Sequence, residues 1–246
     1  MIDWITAHQF ALTGVIFMLV IGPAIGNYAC SVIYRLPRGQ TPFERHPFCG
    51  HCGTDLKPID LFPILSWCLT RGRCRYCRGE IPIIYTYVEL ACAAVFVFYF
   101  LGFGVGEVFL LAAAYAVFTI ILAAIQWQQG WISASIYSYA FLFAALLRTM
   151  VDGTIFGWVQ SGFITLVSCL VIQRLHSWIM KNEFRPFDTP WIWWLTLMAV
   201  WIPQPELGAL AIPVALLLIF RFLCKTAGPF VLVPVVAYAL VLPLAL

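Results

Sequence analysis

Long unbroken apolar runs alternate with short polar breaks along nearly the whole chain. Val95–Phe103, Val108–Ile125 and Pro213–Phe220 are typical of these runs. A helix needs about 20 predominantly apolar residues to cross the hydrocarbon of a bilayer, and a closed helix satisfies its own backbone there. The pattern predicts helical spans at 9–34, 83–103, 108–126, 134–150, 155–176, 191–203, 207–222 and 229–246. The sixth is short, so seven crossings with a re-entrant segment stands beside eight. A transmembrane barrel would instead show weak alternation in segments of about ten residues. Only residues 35–82 read as an extended polar stretch. The expected fold is an all-α polytopic membrane protein of about eight helices. It divides into a first transmembrane helix (1–34), a polar insert (35–82) and a transmembrane helical domain (83–246).

Composition excludes a water-soluble domain. Hydrophobic residues make up 63% of the chain and charged ones 10%, against roughly 25% charged in an ordinary soluble protein. No Lys or Arg precedes the first apolar run, whereas a cleaved signal peptide carries a basic start. The first helix is therefore expected to be retained, with its N-terminus outside. Lys and Arg concentrate in short cytoplasmic loops. With that orientation, all of the 14 basic residues except Arg148 fall on the inner side. The insert is thus expected to be cytoplasmic and the protein to lie in a bacterial inner membrane. The basic insert suits contact with anionic headgroups, and with a net charge of only +3 nucleic acid is not an expected partner.

Chemistry concentrates in the insert. Cys49-Gly-His-Cys52 and Cys74-Arg-Tyr-Cys77 are two Cys-x-x-Cys turns. Two residues between thiolates let one turn aim both sulfurs at one ion, and two such turns close a tetrahedral shell suited to zinc. Gly50 and Gly53 in the first turn, and Gly79 after the second, are expected to ease the backbone around the metal. The alternative is a pair of disulfides, which a reducing cytoplasm disfavours. A redox-active pair would sit in a thioredoxin-like βαβ pattern, which is not evident. A closed four-cysteine shell has no open position for water, so this zinc is expected to be structural. His51 is expected to be exposed, and Cys30, Cys68, Cys92, Cys169 and Cys224 to be inert core thiols.

Around these cysteines runs a recognisable pattern: Gly26-Asn-Tyr-Ala-Cys-Ser-Val-Ile-Tyr-Arg-Leu-Pro37, Asp60-Leu-Phe-Pro-Ile-Leu-Ser-Trp67, Arg71-Gly-Arg-Cys-Arg-Tyr-Cys77 and Ile81-Pro-Ile-Ile-Tyr-Thr-Tyr-Val-Glu-Leu90. It resembles the N-terminal region of the prepilin leader peptidase and N-methyltransferase family, densely over about 22–90. Ala227-Gly-Pro-Phe230 resembles the element that opens the family's last helix. The resemblance implies an intramembrane aspartyl protease that clips the basic leader of prepilins and pseudopilins after a glycine. It also implies methylation of the new N-terminus from S-adenosylmethionine, for which Asp60 and Glu89 are the insert-side acids; ion pairing with nearby arginines is their other reading.

By the same resemblance the peptidase uses two aspartates, one activating water and the other protonated, sharing a proton. The first falls where this chain has Gln126, and the Pro-Asp that follows is Ser133-Ala134 here. The second maps to Asp188 in Glu183-Phe-Arg-Pro-Phe-Asp188, without the flanking glycines; a helix-boundary residue paired with Arg185 is its other reading. A glutamine amide neither ionises nor takes a proton from water. The sequence favours a pseudopeptidase that binds pilin-like leaders or supports a pilus or secretion machine, with methyl transfer as a retained activity. An active peptidase is the first alternative, and a membrane transporter is the alternative of another class. Few intramembrane charges mark a transport path.

Overall fold

The computed structural model describes residues 2–41 and 46–153, with isolated positions beyond at 159, 163, 167, 171, 174, 194, 197 and 200. Among the described residues the protein is all-helical apart from two isolated β-bridges. The chain divides into two compact units, Met1–Ala124 and Ile125–Leu246. The spans expected at 207–222 and 229–246, together with Asp188, Cys169, Cys224 and Ala227–Phe230, lie outside the described residues. Those expected at 155–176 and 191–203 are described only at isolated positions.

Helix α1 (Ile2–Arg35) runs into a 3₁₀ turn, Leu36–Arg38. In the insert a second 3₁₀ turn, Pro58–Leu61, precedes the short helix α2 (Leu65–Thr70). Then come α3 (Ile83–Phe103), α4 (Glu107–Gln129) and α5 (Ala134–Asp152). Four of these helices are long and apolar enough to cross a membrane, in stretches starting at Ala11, Ile83, Glu107 and Ala134. They agree with the first four spans read from the apolar pattern. Two ends differ. α4 continues through Gln128 and Gln129, because the first residue able to stop it is Gly130, at φ 75°. α5 continues to Asp152, which is therefore a helical residue rather than part of a loop. There it pairs with Arg148 one turn earlier at 2.6 Å, an arrangement that neutralises a buried guanidinium.

In the first unit α1 and α3 lie antiparallel in close contact. A Cβ on Gly22 would stand 2.8 Å from the Ala93 Cα, and one on Gly26 would stand 2.7 Å from the Glu89 Cα. Only hydrogen fits at either place. Small residues bring membrane helices close enough for backbone packing, which replaces the hydrophobic drive that lipid does not supply. Phe96 of α3 meets Phe109 of α4 edge-on, with ring centroids 5.9 Å apart. Tyr99, Ala112, Tyr115 and Ala116 are fully buried or nearly so. Cys30 is half-buried and Cys92 fully buried, while Cys68 on α2 is exposed rather than in a core.

Candidate functional site

The two Cys-x-x-Cys turns fold by one recipe used twice. In the first, Cys49 N–H donates to the Thr54 carbonyl (2.9 Å) and Gly53 N–H to the Cys49 carbonyl (2.8 Å). In the second, Cys74 N–H donates to the Gly79 carbonyl (2.8 Å) and Arg78 N–H to the Cys74 carbonyl (3.0 Å). An antiparallel bridge flanks each turn, Phe48 with Asp55 and Arg73 with Glu80. The matched register sends the residue after the second cysteine into the left-handed region: Gly53 at φ 70° and Arg78 at φ 60°. Glycine was expected to ease the second turn at position 79, but the strained position is one residue earlier and is held by an arginine. Gly79 serves packing instead, since a Cβ there would stand 2.9 Å from the His51 ring. A side chain in the left-handed region costs roughly 1–2 kcal/mol. Arg78→Gly should therefore raise the thermal midpoint of the insert, read in detergent, by the equivalent of about 1 kcal/mol.

The turns bring all four sulfurs within 4.8 Å of one another, with Cys49 and Cys77 at 3.9 Å. All four cysteines are free of disulfides. The spacing suits a metal: tetrahedral zinc with Zn–S bonds of about 2.3 Å places its sulfurs about 3.8 Å apart. Cys49 and Cys74 are buried, and Cys52 and Cys77 are exposed. Hydrogen bonds from Thr54, through its hydroxyl and then its backbone N–H, lower the Cys52 thiol to about 6. Burial works against the Cys74 thiolate, but the Cys77 and Tyr76 N–H groups prevail and its pKa is also lowered. Such donors orient thiolates and disperse their charge. The cluster could hold a metal ion such as zinc. His51 is exposed and hydrogen-bonds the Glu80 carbonyl at 3.1 Å, away from the set of sulfurs.

The end of α1 seats the first turn. Tyr34 meets Phe48 edge-on (6.2 Å between centroids). The Arg35 guanidinium lies 5.8 Å from the Phe48 ring centre and donates to the His46 carbonyl at 3.3 Å. Asp60 holds the second turn. Its carboxylate pairs with Arg75 at 3.2 Å and accepts from the Tyr76 hydroxyl (2.9 Å) and the Lys57 N–H (3.1 Å). Glu89 meets a backbone group rather than an arginine: its Oε2 accepts from the Ile64 N–H at 2.7 Å. Asn27 of α1 donates to the Leu61 carbonyl at 2.5 Å. Asn27 and Ile64 were not singled out from sequence. An asparagine inside an apolar helix was the available signal, since a polar side chain there needs a partner.

In the second unit Gln126 occupies the last turn of α4, its backbone carbonyl taken by the Gly130 N–H at 2.8 Å. The side chain is buried, and its Oε1 accepts from the Trp194 indole Nε1 at 2.5 Å. Trp194 is itself fully buried. Nothing in the sequence around Trp194 pointed to this pairing across 68 positions. Ser133 is buried and shares a hydrogen bond with Ser135 (3.1 Å between oxygens).

Comparison with known proteins finds relatives that share this part of the chain. A family model described as the bacterial peptidase A24 N-terminal domain matches residues 20–103, which hold the second half of α1, the cysteine cluster and α3. A prepilin leader peptidase/N-methyltransferase of Myxococcus xanthus is 35% identical over 81 residues, 33% of this chain and 24% of the relative. One from Burkholderia pseudomallei is 32% identical over 179 residues, 58% of this chain and 57% of the relative. One from Bacillus subtilis is 26% identical over 172 residues, 69% of each chain. The matched stretches thus span from about a quarter to about two thirds of these relatives' own lengths. No solved structure matches. With a matching N-terminal domain and relatives whose likeness runs beyond it, the chain is similar to prepilin leader peptidases/N-methyltransferases over the stretches they share.

Proposed function

We propose that the protein is a member of the prepilin leader peptidase/N-methyltransferase family and a pseudopeptidase, one that holds the leaders of pilin-like precursors without cutting them. The observation that carries this reading is the Gln126–Trp194 pair. Resemblance puts the first catalytic aspartate at position 126, where a buried amide is bonded to a buried indole. Aspartyl proteolysis needs two carboxyl groups that share one proton while one of them activates water. An amide oxygen cannot take that proton, and the indole N–H already occupies it. Asp188, the second expected aspartate, would then stand without its partner.

The rest of the reading follows from the insert. Zinc is the metal proposed for Cys49, Cys52, Cys74 and Cys77, in a closed shell that orders the turns and leaves no site for water. Asp60 and Glu89 are proposed to support the insert, since each is engaged by its neighbours: Asp60 by Arg75, Tyr76 and Lys57, and Glu89 by Ile64. A bacterial inner membrane with the insert on its cytoplasmic face is the proposed setting, because the basic residues then fall on the inner side. There the protein would serve a pilus or secretion machine. A pilin precursor carrying a photo-crosslinker in its leader should label the purified protein and remain full length. Absence of labelling would remove such leaders as its ligand.

A further inference from the structure

While the first cysteine turn sits on the end of α1, residues 61–64 of the insert meet α1 and α3 well inside those helices. α3 has 21 residues, which is about 31 Å at 1.5 Å per residue, barely more than the roughly 30 Å of hydrocarbon it must cross. Glu89, which binds the Ile64 N–H, lies six residues into it, about 9 Å from its start. Asn27, which binds the Leu61 carbonyl, lies eight residues before the end of α1, about 12 Å along the axis. With α3 just long enough to cross the hydrocarbon, residues 61–64 are fixed beside it up to about 9 Å inside the boundary where headgroups give way to acyl chains.

Non-helical backbone survives at that depth only if its polar groups are satisfied by protein. Here they are. Leu61 C=O has Asn27, Ile64 N–H has Glu89, and Ser66 N–H and Cys68 N–H return to the Phe62 and Ile64 carbonyls at 3.0 Å each. The Thr70 hydroxyl donates to the Ser66 carbonyl at 2.8 Å, and the Trp67 indole to the Ile81 carbonyl at 3.3 Å. Ile64 holds φ 59°, a left-handed conformation rare for a β-branched residue, and such strain persists where surrounding bonds over-determine it.

What this segment turns outward is apolar. Ile59, Phe62, Leu65 and Leu69 are 55%, 60%, 53% and 69% exposed; Leu65 and Leu69 lie one turn apart on α2, and Ile59 and Phe62 lie in and just after the 3₁₀ turn before it. Exposed Lys57 precedes the segment, and exposed Arg71 and Arg73 follow it. An apolar face framed by cations at this depth has the chemistry of an interfacial anchor, which sinks about 5–10 Å into the boundary of an anionic leaflet. We propose that residues 58–70 are such an anchor: Ile59, Phe62, Leu65 and Leu69 enter the lipid, while Lys57, Arg71 and Arg73 meet phosphate headgroups. The anchor fixes the height of the cysteine cluster over the bilayer, because Asp60 ties it to Arg75 and Tyr76 of the second turn.

The test places an environment-sensitive fluorescent amino acid at 62, 69 or 55, one per variant, in the full chain. Variants that elute as the parent does are reconstituted in phosphatidylglycerol–phosphatidylethanolamine vesicles, with and without acyl-brominated lipid. Emission at 62 and 69 should shift to the blue and be lost to bromine quenching, while emission at Asp55, exposed on the first turn, stays unquenched. Water-like, unquenched emission at 62 and 69 would overturn the proposal. So would protection of those positions only after a pilin precursor is added, which would assign the face to a protein ligand.

Discussion

Stripping the metal, or replacing Cys74 with serine, should unfold the insert while the membrane helices stay paired. Structural zinc contributes roughly 10–16 kcal/mol to the folding of small domains. Beside a metal, the two cysteine turns are held by few contacts: Tyr34 and Arg35 against Phe48, and Asp60 on Arg75 and Tyr76. Each is closed by a handful of backbone hydrogen bonds and one isolated bridge, and their buried apolar content is chiefly Cys49 and Cys74 themselves. The α1–α3 contact is built at Gly22, Gly26 and their partners, independent of the sulfurs. Metal analysis should find about one zinc per chain, absent from the Cys74→Ser protein. Protease cleavage should then spread through 46–82 and spare α1 and α3. An insert that stays protected after chelation would mean that its hydrogen bonds suffice without a metal.

The second large effect is expected at Trp194. Truncating a buried tryptophan to alanine costs roughly 3–5 kcal/mol in lost burial and cavity. The Gln126 oxygen, left without its donor, adds about 1–3 kcal/mol. Trp194→Ala should therefore lower the thermal midpoint in detergent by far more than Trp194→Phe, which keeps most of the volume and removes only the N–H. A phenylalanine variant as stable as the parent would show that the indole bond contributes nothing. Gln126→Asp asks the complementary question, since it restores the acid without removing the tryptophan. Leader cleavage appearing in that variant, and requiring Asp188, would identify the carboxylate as the missing part.

Much of this organisation is written in local pattern. The helices from 83 and 134 begin where the apolar runs begin, because a membrane span is specified by its own residues and needs no distant partner. The four cysteines come together because Cys-x-x-Cys spacing is itself a geometry: one turn aims two sulfurs. What stays hidden is set by register and by distance along the chain. The strain at Arg78 follows from which N–H closes onto the Cys74 carbonyl, and the glycine one residue later misdirects the reader. Glu89 reads as a methyl-transfer acid or an arginine partner, yet it accepts from the backbone N–H of Ile64, a residue at positive φ. The Gln126–Trp194 bond joins two residues with no local signature, so only the fold brings it to light.

Incubating the purified protein with a pilin precursor and weighing the products by mass spectrometry tests the central claim most directly. The precursor should keep its full mass, because a buried amide stands at position 126. A clipped product ending after the leader glycine, lost in Asp188→Ala, would contradict the account and make the protein a working peptidase.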